Sequence, residues 1–366
     1  MKTVNFAILG CGKIGTRHAE KMRGLDYVRL VAVCDVVPER ANELALRHVC
    51  RAYTSLDELL KDPEVDFVNI CTPSGLHPEH AITSLKGGKH VLCEKPMALT
   101  VADAMAMVQT AKAANRLLYI IKQNRYNPPI KLVNQLLADG KLGAPIMCAV
   151  NMYWNRNDAY YASDPWRGTL ALDGGTIYTQ ASHFVDLMLH FMGPPKTVYA
   201  RMGTMNHEIE IEDTGTIVTE FQNGAFGSMN YTTCATKKNF EGSITLFFTK
   251  GTIKIGGEYI NTIEHFAVEG IDGYQLEEAA ASANDYGTYR GSMSNHHEVF
   301  QDILRHMNDE GYNGSLVYDR EGIETIRFIE GALASARTGG VIDLSAPLKL
   351  PKVRLPKATR QPATQA

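Results

Sequence analysis

The stretch that most constrains this chain is Gly10-Cys11-Gly12-Lys13-Ile14-Gly15, because of what stands on either side of it. Before it, Val4 to Leu9 is a near-continuous apolar run with the character of a buried strand, and after it Thr16 to Met22 has helical character. Glycines at this spacing are weak evidence alone. Between a strand and a helix they specify a tight turn in which backbone N–H groups approach a pyrophosphate at a helix N-terminus. An acid completes the pattern: the next apolar run, Leu30 to Cys34, ends at Asp35, 20 residues beyond Gly15. A carboxylate there accepts from ribose hydroxyls and repels a 2′-phosphate. No arginine directly follows Asp35, so the expected cofactor is NAD rather than NADP.

The alternation continues. Leu56 to Leu60 reads as a short helix, Val65 to Cys71 as a buried strand ending at Thr72-Pro73-Ser74, and His77 to Leu85 as a helix stopped by Gly87-Gly88. His90 to Cys93 is a strand delivering Glu94-Lys95-Pro96. Val101 to Asn115 is an alanine-rich amphipathic helix, and Leu117 to Ile121 is a further strand, ahead of Lys122-Gln123-Asn124-Arg125. Such an order calls for a doubly wound parallel sheet, whose ligands bind beyond the C-terminal strand ends. The candidate cofactor residues therefore gather on one edge: Gly10, Gly12, Lys13, Ile14, Gly15, Asp35, Thr72, Pro73, Ser74, His77, Glu94, Lys95 and Gln123.

From Pro145 the texture changes to strands with alternating polar and apolar residues. Pro145 to Tyr153, Thr197 to Met205, Thr214 to Phe221, Ala225 to Thr233, Gly242 to Thr249 and Thr252 to Ile255 fit one open, mostly antiparallel sheet, with Asn223-Gly224 as a hairpin turn. Two amphipathic helices follow, at about Met293 to Asn308 and Asp319 to Thr338. The expected class is α/β: a Rossmann domain at 1–122, an α+β substrate and oligomerisation domain at 123–345, and a basic, proline-rich tail at 346–366. An open sheet with an amphipathic outer face suits pairing with another copy, so a dimer or tetramer is expected.

Between the first two strands of that sheet lies a polar segment. Asp173-Gly174-Gly175 lets backbone approach a ligand, and Thr179, His183 and Asp186 at i, i+4 and i+7 share one face of an expected helix. Asp186 there suits pairing within the helix. Trp166-Arg167 and Arg156 can stack on a ring and pair with a carboxylate or phosphate, or can serve only in packing. The other histidines, including His18, His80, His207, His296 and His297, lack ligand spacing, and no metal is expected. Seven cysteines without a CxxC pair point to free thiols in a reducing compartment. A formal net charge of -3 gives no reason to expect nucleic acid or membrane as partner. No apolar run has bilayer length, and Met1 to Asn5 leads straight into a strand without a secretory pattern, so a cytoplasmic location is expected.

Taken together, GCGKIGTRH, VCD, ICTPSGLH, CEKP and the later GG…SHFVD resemble the glucose-fructose oxidoreductase and inositol dehydrogenase family, Gfo/Idh/MocA, over residues 3–345. The resemblance implies that Lys95 sits near the reacting hydroxyl, where a cationic nicotinamide helps it shed a proton near neutral pH. It also implies an aspartate paired with the histidine in many members; here Thr179 stands at that position and His183 is kept, which leaves Lys95 the better base. QNRYNPP, WRGT…LDGG…QASHFVDL, IEIEDTG and NFEGSITLFFTKGTIKIGG resemble the WlbA-type branch. That likeness implies NAD-dependent oxidation of the C3′ hydroxyl of UDP-N-acetyl-2-amino-2-deoxy-D-glucuronate, in lipopolysaccharide O-antigen biosynthesis, ahead of an aminotransferase. It implies Lys95 and His183 as catalytic residues. The substrate set is Lys95, Asn124, Arg125, Arg156, Thr179, Gln180 and His183, with Trp166 and Arg167 against the cofactor. The alternatives are another sugar or inositol dehydrogenase, or a non-catalytic NAD(H)-responsive binding protein.

Overall fold

The protein is described by a computed structural model over residues 1–276, 283–287, 289–309, 311–312 and 314–348. Most of the expected tail, 349–366, lies outside the described residues. The first sheet runs β1 (Val4–Leu9), β2 (Val28–Cys34), β3 (Arg51–Tyr53), β4 (Phe67–Ile70), β5 (His90–Cys93) and β6 (Leu118–Ile120), in spatial order β3-β2-β1-β4-β5-β6. Every pair in it is parallel. Strands β1, β4, β5 and β6 are buried on both faces, which is why they appear in the sequence as continuous apolar runs, whereas the edge strand β3 is exposed to half-buried. Between them lie α1 (Lys13–Met22), α2 (Pro38–His48), α3 (Leu56–Leu60), α4 (His77–Lys86) and α5 (Val101–Ala114). Strand order reverses between β1 and β4, opening a crevice at their C-terminal ends.

The rest of the chain adds α6 (Pro128–Ala138), β7 (Pro145–Tyr153), α7 (Asp158–Tyr161), α8 (Thr176–Thr179), α9 (Ser182–Met192), β8 (Pro195–Gly203), β9 (Thr214–Phe221) and β10 (Phe226–Thr232). After these come β11 (Glu241–Phe248), β12 (Gly251–Gly256), β13 (Thr262–Val268), β14 (Ala283–Asp285), β15 (Arg290–Met293), α10 (His296–Asn308), α11 (Asp319–Thr338) and β16 (Ile342–Asp343). Eight strands form a second sheet, β13-β12-β11-β7-β10-β9-β8-β16, in which β7 and β10 run parallel and the remaining pairs antiparallel. The Asn223-Gly224 turn joins β9 to β10, with Gly224 at φ 87°. Helices α9 and α11 cover one face, and on the other Met147, Val218 and Phe226 are exposed.

Three details differ from the sequence reading. Helix α10 packs on the first sheet, where the Phe300 ring meets Phe6 edge-on at 5.3 Å. A cut at 122/123 therefore divides the sequence and leaves part of the N-terminal core on the far side. The single helix expected from Thr179 to Asp186 is broken: α8 ends at Thr179, α9 begins at Ser182, and His183 and Asp186 share only the second. Finally, β14 and β15 form a separate hairpin that carries Tyr286 and Tyr289 over the N-terminus of α1. All seven cysteines are free.

Candidate active site

The crevice is a cavity of about 850 Å³ between the C-terminal ends of the first sheet and the 154–183 segment. On the cofactor side, Gly10 adopts φ 98°, and a Cβ there would lie 2.8 Å from the Cys71 backbone. Only glycine allows β1 and β4 to approach so closely. A Cβ on Gly12 would meet nothing within 4 Å, so that glycine leaves space open rather than filling it. Helix α1 has no side-chain cap, and its first N–H groups remain available to a pyrophosphate. Gly15 does not line the cavity. Its Cβ would fall 2.0 Å from Gly10 O, so it serves helix-to-strand packing.

Asp35 ends β2 with its carboxylate fixed by backbone: Cys11 N–H donates to Oδ2 (2.7 Å) and Val37 N–H to Oδ1 (2.9 Å). Thr72, Pro73 and Ser74 line the opposite wall, and His77 braces it by bridging Pro96 O (2.7 Å) and Thr72 O (2.8 Å). Lys13, Ile14, Trp166 and Arg167 also face this cavity. An extended anionic dinucleotide with free ribose hydroxyls fits these groups.

Glu94-Lys95-Pro96 follows β5, with a cis bond between Lys95 and Pro96. Burial would push the Glu94 carboxyl up, but the His18 and His296 side chains hold it well below the usual range. His18 Nε2 is 2.9 Å from Glu94 Oε1, and His296 Nε2 stands 3.7 Å from the same oxygen, too far for a hydrogen bond. Glu94 Oε2 accepts from the Lys95 amide at 2.9 Å, which anchors the backbone of the lysine. His18 is thus a hydrogen-bonding partner of Glu94 and His296 a close neighbour, brought together by tertiary structure despite their separation in sequence. Their donor atoms and that of Glu94 lie within 4.8 Å of one another, but His18 is already used twice, by Glu94 and by Asn69 (2.7 Å).

Lys95 Nζ donates to Thr179 O. Burial brings the Lys95 ammonium down from 10.5 to about 8; Lys122 and Arg156 act in the same direction, while Glu94 and Asp173 oppose it. His183 is pushed well below its ordinary value by burial, then by Lys95 and Lys122, so it is neutral at physiological pH. Gln123 Nε2 lies 3.3 Å from His183 Nε2 and donates to Ser292 Oγ (2.8 Å). Of the residues that line the cavity, Gln123 Oε1 and His183 Nδ1 are buried without a partner among the described residues. Buried polar atoms left open in this way suit a ligand rich in hydroxyls.

The arginines part company. Arg125 is not available to a substrate: it makes a two-pronged ion pair with Asp186 (2.8 and 3.0 Å) and bonds Glu321 (2.6 Å), away from the cavity lining. Asn124 is likewise absent from the lining. Asp186 also faces Lys122 at 3.7 Å, so its role is structural, though its partners come from outside its helix. Arg156 is the reverse case. It is 1% exposed, lines the cavity, and gives every hydrogen bond to a neutral acceptor: Gln180 Oε1 (3.0 and 2.7 Å), Asn155 O (2.6 Å) and Asn239 Oδ1 (3.3 Å). Its guanidinium lies over the rings of Tyr289 (4.9 Å), Trp154 (5.2 Å) and Tyr160 (5.3 Å). Arg167 stacks 4.3 Å from Tyr160 and bonds Asp164 at 3.2 Å. Two neighbouring guanidiniums with a single carboxylate partner make an anion-accepting end of the cavity.

Sequence reasoning named Asp173 only as part of a turn that admits a ligand and Lys122 only as following a strand, and it gave no role to Tyr160 or Tyr289. Tyr289 arrives on a hairpin that no local pattern marks.

The dinucleotide fold, its glycine turn and the acid that follows β2, and a half-buried lysine of lowered basicity beside a neutral histidine define an NAD-dependent dehydrogenase. Residues 4–121 match the oxidoreductase family with NAD-binding Rossmann fold, GFO_IDH_MocA, and residues 130–254 match the GFO/IDH/MocA C-terminal domain; the chain belongs to this family. Its fold is similar to that of the WlbA dehydrogenase from Bordetella pertussis, solved with NADH and UDP-GlcNAcA, at TM-score 0.83 and 32% identity over 95% of this chain and 100% of that one. It is similar to the Chromobacterium violaceum WlbA dehydrogenase, solved with the same ligands, at TM-score 0.83 and 32% identity over 95% and 97% of the two chains. It is also 29% identical to the myo-inositol 2-dehydrogenase of Thermotoga maritima over 68% of this chain and 74% of that protein.

Proposed function

We propose that this enzyme oxidises the C3′ hydroxyl of UDP-N-acetyl-2-amino-2-deoxy-D-glucuronate to the 3-keto sugar. The observation that carries the reading is Arg156, a buried guanidinium whose partners are all neutral, in the same cavity as Lys95 and His183. An uncompensated buried cation is costly, and a substrate carboxylate supplies what it lacks. A neutral cyclitol does not. The two WlbA dehydrogenases solved with UDP-GlcNAcA support the same substrate.

NAD, when bound, supplies the hydride acceptor. Lys95 as free amine takes the hydroxyl proton, and the contact of Nζ with Thr179 O holds it in place. His183, kept neutral, hydrogen-bonds the same oxygen, while Gln123 steadies its ring. Gln180 orients Arg156 through Oε1 and is itself tied to Tyr160 OH, to which its Nε2 donates at 2.9 Å. Positioning of this kind accounts for much of the barrier reduction in such reactions. The ketone product suits an aminotransferase in lipopolysaccharide O-antigen synthesis. Among the described residues no helix is long and apolar enough to cross a membrane, in keeping with a cytoplasmic site of action. The exposed face of the second sheet, with Met147, Val218 and Phe226, is assigned to a homo-oligomer interface.

Borodeuteride trapping of the reaction mixture tests the chemistry. Deuterium at C3 of the recovered sugar is expected, and label at any other carbon refutes the assignment.

A further inference from the structure

His183 lines the cavity at 3% exposure, and among the described residues no carboxylate hydrogen-bonds its ring. The Thr179 hydroxyl donates elsewhere, to Gly175 O at 3.2 Å. The imidazole has one hydrogen-bond contact among those residues: Gln123 Nε2 stands 3.3 Å from its Nε2, while its Nδ1 has no partner. Gln123 is 3% exposed, and the same amide nitrogen donates to Ser292 Oγ at 2.8 Å. That serine sits on β15, which brings the hairpin to the edge of the cavity. An amide –NH2 carries two donor hydrogens and accepts nothing, so one goes to Ser292 and the other to His183. Turned over, the amide would present Oε1 to both neighbours and bury two N–H groups without an acceptor. As it stands, only Oε1 is open, and an orphaned carbonyl oxygen is the more common case in protein interiors.

We propose that Gln123 is a positioning residue that sets the tautomer of His183: by donating to Nε2 it places the ring proton on Nδ1, and Nδ1–H is the donor left for the substrate oxygen. A nitrogen that accepts a hydrogen bond carries no proton of its own, and a neutral imidazole carries a single one. His183 is neutral because it is buried beside Lys95 and Lys122. Its acceptor lone pair is turned to Gln123, and none is left for the sugar. The hydroxyl proton then has one destination, Lys95 Nζ. As the O–H bond breaks toward that amine and the hydride leaves C3′ for NAD, the oxygen becomes the ketone oxygen, and Nδ1–H donates to it throughout without leaving the ring. Such a donor matters most while negative charge gathers on the oxygen during the transfer. Ser292 contributes by holding the Gln123 amide against rotation.

The inference rests on the dehydrogenase reading with His183 at the reacting hydroxyl, and the two fail separately because the first readout needs no turnover. Long-range 1H–15N spectra of the NAD complex, labelled with 15N-histidine, report which ring nitrogen carries the proton; the His183 signals are those lost in His183→Asn. A protonated Nδ1 and a bare Nε2 are expected. Gln123→Glu turns the donor into an acceptor and is expected to put a proton on Nε2 and to lower kcat roughly 100-fold with KM little changed. A proton on Nε2 in the wild-type enzyme, or a bare Nε2 in Gln123→Glu, overturns the proposal. Should Gln123→Glu not fold, Gln123→Met, which has no hydrogen to donate, is expected to give a mixture of the two tautomers, and an unchanged Nδ1–H overturns the proposal. Failure of the substrate reading shows instead as no turnover of the sugar acid with Nδ1–H in place.

Discussion

Replacing Arg156 with Met separates a carboxylate site from a packing arginine. The methionine keeps an apolar stem against Trp154, Tyr160 and Tyr289 and removes the charge. A hydrogen bond to a charged group contributes about 1.5–3 kcal/mol, and about 1.4 kcal/mol is tenfold, so kcat/KM on UDP-GlcNAcA should fall by roughly 10- to 150-fold. The carboxylate is not at the reacting carbon, so the loss should appear in KM with kcat largely kept. On UDP-N-acetylglucosamine, where a hydroxymethyl group replaces the carboxylate, the variant should lose little. Steady-state kinetics on both sugars give the comparison, and NAD affinity serves as the control for folding, since Gln180 Oε1 loses its donor. An equal fall on both sugars would refute the reasoning, because it would show a general disturbance of the cavity.

Lys95→Ala should lower kcat severely while NAD binding, read by calorimetry, persists; full turnover in that variant contradicts the proton transfer. Because burial brings Lys95 to about 8 and only the free amine accepts a proton, kcat/KM of the wild-type enzyme should rise with pH through that region and level off above it. Asp35→Ala removes the acceptor for ribose and for Cys11 and Val37 N–H, and should weaken NAD about 10- to 100-fold. Val218→Glu with Phe226→Glu, on the open face of the second sheet, should convert the proposed homo-oligomer to monomer in light scattering, and an unchanged mass would remove that face as the interface.

The sequence carried most of the first sheet because β1, β4, β5 and β6 are buried on both sides and appear as apolar runs, each ending where the crevice opens. Asp35, Thr72-Pro73-Ser74 and Lys95 could be placed on one edge from that logic alone, and all of them line the cavity. β3 escaped notice because Arg51 to Tyr53 is short and exposed to half-buried. The choice among arginines was closed to sequence: Arg125 and Arg156 look alike until Asp186 and Glu321 are seen around the first and only neutral acceptors around the second. The broken helix at Gln180 and the Tyr289 hairpin are tertiary outcomes.

The central claim, a dehydrogenase for a nucleotide-linked sugar acid, is tested most directly by mixing enzyme and NAD in stoichiometric amounts with UDP-GlcNAcA, with myo-inositol and with glucose, and following NADH absorbance. Stoichiometric amounts detect reduced cofactor even if it stays bound. NADH formation with UDP-GlcNAcA and none with the free cyclitol or hexose is the expected result; NADH from myo-inositol or glucose alone contradicts the account.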